Sequence, residues 1–212
     1  MNGDEMIDRP VYLEQILPFV GKSIIKILVG VRRSGKSTLL GQIKDHLMAS
    51  GVPESSIITM NLESAQFSHI ADAKTLQSYV YEHCAKSGKT YAFFDEIQEV
   101  DGWEKALRSF MVDYDIDMYV TGSNAHLLSG ELATHITGRY VQIPVYPFSF
   151  EEYVRALKKE KEDIDIRNAF ADYLDLGGFP FQYDLGFQHD PSLKYLTDIY
   201  GTILLKDVVQ RN

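Results

Sequence analysis

Residues 30–38 read Gly-Val-Arg-Arg-Ser-Gly-Lys-Ser-Thr, and they follow directly on the apolar run Ile24 to Val29. Gly30, Gly35, Lys36 and Ser37 stand in the spacing G-x-x-x-x-G-K-[ST], which at ordinary glycine and lysine frequencies arises by chance in about one chain in a hundred of this length. Downstream, Leu39, Ile43 and Leu47 recur at i, i+4 and i+8, so a helix is expected over 36–49, ending near Gly51 and Pro53. A strand, a glycine-bounded loop and an amphipathic helix in that order suit one chemistry well. Glycines let backbone N–H groups turn inward around phosphate, and the helix N-terminus adds its positive end. Lys36 is expected to reach the β and γ phosphates and Ser37 to offer a hydroxyl to Mg2+, with Gly30, Arg33, Ser34, Gly35 and Thr38 completing the phosphate contacts.

Outward from this loop, short apolar runs alternate with segments of helical period, the signature of an α/β sheet with crossover helices. Five strands are expected, over 24–30, 57–62, 91–95, 118–122 and 140–145, several apolar on both faces as buried parallel strands must be. From Ser149 the texture becomes helical. Ser149 and Glu152 form a capping box, a second helix runs over 166–176 and stops at Gly177-Gly178, and a third opens with Asp190 as N-cap and Pro191 at its first position. The expected organisation is an α/β core over 1–147 and a helical subdomain over 148–212, leading into a further C-terminal region. The apolar stripe of Leu193, Leu196, Tyr200, Ile203 and Leu204 needs a cover that the chain up to Asn212 does not supply.

Two other strand ends carry polar groups. The run YAFFDEIQ sets Asp95 and Glu96 at the carboxyl end of a buried strand, the edge that also bears the glycine loop. Adjacent carboxylates there need a cation or water to organise: Asp95 is expected to hold Mg2+ and Glu96 to polarise the water that attacks the γ phosphate. The run MYVTGSN ends in Ser123 and Asn124, and the Asn124 amide could bond both the γ phosphate and that water. Asn61 is placed to orient Glu96. Arg139, just before the fifth strand, is a candidate for stabilising transition-state charge within the chain or across a subunit interface.

Composition narrows the remaining classes. The chain has 212 residues, 45% hydrophobic and 24% charged, which argues for a packed core. With 21 basic and 30 acidic residues the net charge is −9, not the footprint of a domain built to grip nucleic-acid backbone. Cys84 is the sole cysteine, which precludes an internal disulfide and favours a reducing, cytoplasmic setting. No apolar run is long enough to span a bilayer. The six histidines show no zinc-binding spacing.

The ordered series GVRRSGKSTLL, YAFFDEIQEVDGWEKALR, TGSNAHLLSGELATHITGRYVQIPVYPFSFEEY, GGFP and YLTDIYGTILLKDVVQRN resembles the bacterial and archaeal AAA-type ATPases whose ATPase domain precedes a C-terminal domain of unknown function. The resemblance runs from about residue 24 to 212. It implies a P-loop three-layer sandwich with a five-stranded parallel sheet in the order 5-1-4-3-2, ATP and Mg2+ as ligands, and the absence here of a nuclease-like C-terminal region. By position, Lys36 and Ser37 match the phosphate and Mg2+ contacts, Asp95 and Glu96 the acidic pair, and Ser123-Asn124 the sensor. The expected function is Mg-dependent ATP hydrolysis coupled to movement of the helical module. A nucleotide-gated interaction module with negligible hydrolysis is the alternative. The partners expected are ATP, further copies of the chain and, only through the C-terminal region absent here, DNA.

Overall fold

The computed structural model describes residues 6–123, 136 and 138–204. These fall into two compact units, one of residues 10–30 and 36–145, the other of residues 6–9, 31–35 and 146–204.

The first unit is built on a sheet of β1 (Ile25–Gly30), β2 (Ile57–Asn61), β3 (Thr90–Asp95), β4 (Ile116–Ser123) and β5 (Tyr140–Pro144). All ladders are parallel and the order is β2-β3-β4-β1-β5, as the resemblance implies. Alternation along the strands feeds two cores. Ile25, Ile27 and Val29 of β1, with Met60, Phe94 and Val120, pack beneath Leu76 and Val80 of α3 (Ala73–His83) and Trp103, Leu107 and Phe110 of α4 (Trp103–Asp113). Leu28, Phe93, Tyr119 and Ile143 face the other way, against Tyr12 and Ile16 of α1 (Pro10–Ile16) and Leu39, Ile43 and Leu47 of α2 (Lys36–Ala49). Strands buried on both faces are the physical reason their sequences read as unbroken apolar runs.

Lys26 interrupts that run and is fully buried. Its ammonium pairs with Asp117, whose other oxygen accepts the Gly21 N–H at 2.7 Å and the Tyr119 hydroxyl at 2.9 Å. Burial holds the Lys26 ammonium below the usual lysine range, against the pull of Asp117. The pair also accounts for β4 beginning at Ile116, two residues earlier than expected: a charged residue that reads as a strand boundary is tolerated inside once its partner is there.

The second unit has a core of Ile7, Phe148, Tyr153, Ala156, Leu157 and Ala169, drawn from the N-terminal segment, α5 (Phe150–Glu160) and α6 (Ile166–Leu176). Ser149 and Glu152 cap α5 reciprocally, as expected. Gly178 is required by close approach, since a Cβ there would lie 2.1 Å from the Phe148 carbonyl oxygen. A short α7 (Phe181–Asp184) precedes α8 (His189–Leu204). The last helix thus starts one residue before the expected cap, and the His189 ring contacts the Asp190 carboxylate at 3.1 Å and Asp175 at 2.9 Å. Among the described residues no helix is long and apolar enough to cross a membrane.

Replacing Lys26 by Met strands the Asp117 carboxylate in the interior and is expected to cost about 3–5 kcal/mol of unfolding free energy. Urea denaturation measures it, and a loss below about 1 kcal/mol would show that the pair is not buried as described.

Candidate functional site

The site is assembled at the carboxyl ends of β1, β3 and β4. Parallel registry pairs Phe94 with Val120 and Val29 with Gly122, so the residues that follow Phe94 and Val120, Asp95 and Thr121, stand side by side. Asp95 is 7% exposed. One of its oxygens, Oδ1, accepts the Ser37 hydroxyl at 3.1 Å and also the Thr121 hydroxyl. The first turn of α2 and the end of β3, 58 residues apart in sequence, thereby converge on a single oxygen. Lys36 is 3% exposed, and its ammonium donates to the Gly30 carbonyl at 3.1 Å, across the mouth of the loop it terminates. Thr38, in the same helical turn as Ser37, is exposed.

Glu96 takes the left-handed conformation at φ 53°, which in a non-glycine residue costs on the order of 1–3 kcal/mol and collects at functional positions. Its N–H donates to the Thr121 hydroxyl at 3.0 Å, and its carboxylate accepts from the Gln98 amide. Asn61 Oδ1 accepts the Glu63 N–H at 3.1 Å, turning the chain after β2, and the Gln98 amide lies on the Glu96 carboxylate. Arg139 is exposed, with its carbonyl accepting the Ile25 N–H at 2.9 Å. Asn124 lies outside the described residues, and Ser123 ends β4.

The loop segment 31–35 belongs to the second unit. The Ser34 N–H donates to the Val31 carbonyl at 3.2 Å, closing a turn in which Arg33 has φ 65°. The Arg33 guanidinium lies over the rings of Tyr195 at 5.4 Å and Phe181 at 6.0 Å, in cation–π range of both. Gly35 has φ 93°, which only glycine adopts freely. Ser34 is fully buried, and its hydroxyl has no hydrogen-bond partner among the described residues. An orphaned buried hydroxyl suits a polar ligand, and the Ser37 hydroxyl with the Asp95 carboxylate supplies the hard oxygen donors that Mg2+ prefers. The donor types at Ser37 and Asp95 are therefore compatible with a magnesium ion.

Besides Gln98, two residues of the site are not marked in the sequence. Thr121 lies in the apolar stretch of β4, two residues after Tyr119, and only registry with β3 brings it to Asp95. Arg9 is 2% exposed and donates to the Ser34 carbonyl, and no motif marks it.

The parallel sheet in this order, with the glycine loop after β1 and an acid at the end of β3, is the P-loop nucleoside triphosphatase fold. Residues 22–154 match the family described as an AAA domain, and the chain belongs to that family. An uncharacterised protein of Haemophilus influenzae is 39% identical across 97% of this chain and 51% of its own length. One of Methanocaldococcus jannaschii is 30% identical across 89% of this chain and 42% of its own. The chain therefore spans about half, or less, of the length of the curated relatives it matches. Among solved structures, the Thermotoga maritima RuvB Holliday junction branch migration motor superposes with a TM-score of 0.58 at 17% identity, over 95% of this chain and 70% of that one. AMPPCP-bound DnaA from Aquifex aeolicus gives 0.52 at 13%, over 100% and 67%. At these identities the likeness is one of fold.

Substituting Thr121 by Val keeps the shape but removes the hydroxyl that serves Asp95 and the Glu96 N–H, leaving a backbone donor unpaired. A loss of about 1–3 kcal/mol is expected in chemical denaturation. Unchanged stability would show that neither bond contributes.

Proposed function

We propose that the chain binds ATP with Mg2+ through residues 30–38 and hydrolyses it. The observation that carries this reading is the convergence of Ser37 and Thr121 on Asp95 at the same sheet edge as the Lys36 loop. In this reading the main-chain amides of Arg33 to Thr38 and the Lys36 ammonium hold the phosphates, and Gly30 and Gly35 give the backbone its path. Ser37 and Asp95 would hold the magnesium ion, whose positive charge would offset the negative charge of the phosphates.

Glu96 acts as the base that orients and deprotonates the attacking water, held in place by Gln98 at its carboxylate and Thr121 at its backbone. Asn124 would bond the γ phosphate and that water. Arg139, exposed at the start of β5, would stabilise transition-state charge within the chain or across an interface between copies. The helical unit would convert nucleotide state into movement, and the activity of the longer relatives would depend on regions outside this chain.

Mutagenesis separates binding from chemistry. Glu96→Gln is expected to abolish steady-state phosphate release while retaining ATP binding; normal hydrolysis by that variant would remove Glu96 from the role of base. Lys36→Ala removes a charge-assisted bond worth about 1.5–3 kcal/mol, which is roughly a 10- to 150-fold loss of affinity in calorimetry. Tight binding by Lys36→Ala would contradict the assignment of the loop.

A further inference from the structure

Arg9 sits buried in the second unit with three kinds of partner around one guanidinium: a carboxylate, backbone carbonyls and an aromatic ring. Its Nε and Nη2 form a fork on Glu152 of α5, at 2.8 Å and 3.1 Å. Nη2 also reaches the carbonyls of Tyr146 at 2.9 Å and Pro147 at 3.4 Å, and the group lies 5.5 Å from the Phe148 ring centre. Nη1 faces the other way and donates to the carbonyl oxygen of Ser34 at 3.1 Å. Glu152 in turn accepts the Ser149 N–H at 2.8 Å in the cap of α5. Burial alone would push the Glu152 carboxyl up, but the fork from Arg9 and the Ser149 bond outweigh it and hold the carboxyl below the usual range.

The bond to Ser34 has a geometric consequence. No peptide in the described chain is cis. In a trans peptide the carbonyl and the next residue's N–H point in opposite directions from one rigid plane. Fixing the Ser34 carbonyl on Arg9 therefore fixes the Gly35 N–H, pointing away from Arg9. Gly35 is the residue least able to hold an amide direction by itself, since at φ 93° it has no side chain to lock. Arg33 on one side of this peptide is in turn seated on Phe181 and Tyr195.

We propose that Arg9 is a positioning residue for nucleotide: it aims the Gly35 amide at the phosphates and makes the direction of that amide depend on Glu152 and the start of α5. The inference rests on the reading that residues 30–38 bind a nucleotide, and it assigns to this segment the link by which α5 and the phosphate loop answer to one another. A lysine at position 9 could keep the charge, but its single ammonium cannot fork on Glu152 and hold the Ser34 carbonyl in one plane.

The test uses the whole 212-residue chain and MgADP as probe, with three readouts: calorimetric affinity, melting temperature without nucleotide, and the Gly35 amide resonance in a 15N-labelled sample. Arg9→Met alone leaves a buried carboxylate unpaired, so the decisive variant is Arg9→Met with Glu152→Gln, which removes both charges. It is expected to melt close to the unaltered chain yet bind MgADP about tenfold or more weakly, the loss of one charge-assisted contact. Its Gly35 resonance should no longer move on MgADP addition as it does in the unaltered chain. A merely structural role predicts affinity recovering together with melting temperature, and that result overturns the proposal. Should the double variant fail to fold, Arg9→Lys decides: weaker MgADP binding at an unchanged melting temperature supports the role, and unchanged affinity overturns it. If the unaltered chain binds no MgADP, the nucleotide reading and this inference fall together; if only the variants bind normally, this inference falls alone.

Discussion

A carboxylate at the end of a buried strand is the constraint on which the rest of the site depends. Asp95 is almost wholly removed from water, where a polar group needs hydrogen-bond partners. It obtains them from two hydroxyls on two other elements, Ser37 and Thr121. That requirement ties the first turn of α2 to the ends of β3 and β4, so the sheet order is also the means by which the site is assembled. A different order, with β4 away from β3, would take Thr121 from Asp95.

The polar interior of the sheet is arranged at both ends of the strands. At the amino end Lys26 and Asp117 meet between β1 and β4, with Tyr119 and the Gly21 N–H completing the carboxylate. At the carboxyl end Thr121, only two residues beyond Tyr119, bridges Asp95 and the Glu96 N–H. β4 is therefore polar at alternate positions on one face, and these groups are answered within the strand or by a neighbouring strand or turn. Such pairing is costly if half made, which favours one strand register over its slipped alternatives.

The sheet was legible in the sequence because burial on both faces leaves a direct trace, a short apolar run with a turn after it. Four of the five strands begin within one residue of the expected position. The exception, β4, carries Asp117, whose tolerance inside depends on a lysine 91 residues away that no local pattern announces. α1 has seven residues and only Tyr12 and Ile16 buried, too little for a periodic signal. The glycine loop and the acidic pair were visible because their chemistry demands particular residue types at a fixed spacing. Thr121 and Arg9 were not, because each acts on a neighbour that folding brings to it: Thr121 reaches Asp95 across 26 positions, and Arg9 reaches Ser34 across 25 and Glu152 across 143; Gln98 lies only two positions from Glu96, but no spacing rule marks an amide there. Asn61 shows the converse, a polar residue at a strand end that serves its own turn.

The account stands on the claim that a loop of main-chain amides, one buried lysine and the Asp95–Ser37 pair capture a magnesium-complexed triphosphate. Titration calorimetry of a non-hydrolysable ATP analogue into the chain, with Mg2+ and again with the metal chelated, tests this most directly. The account predicts saturable one-to-one binding that weakens markedly when the metal is removed. Absence of binding at millimolar analogue, or binding indifferent to Mg2+, would contradict it.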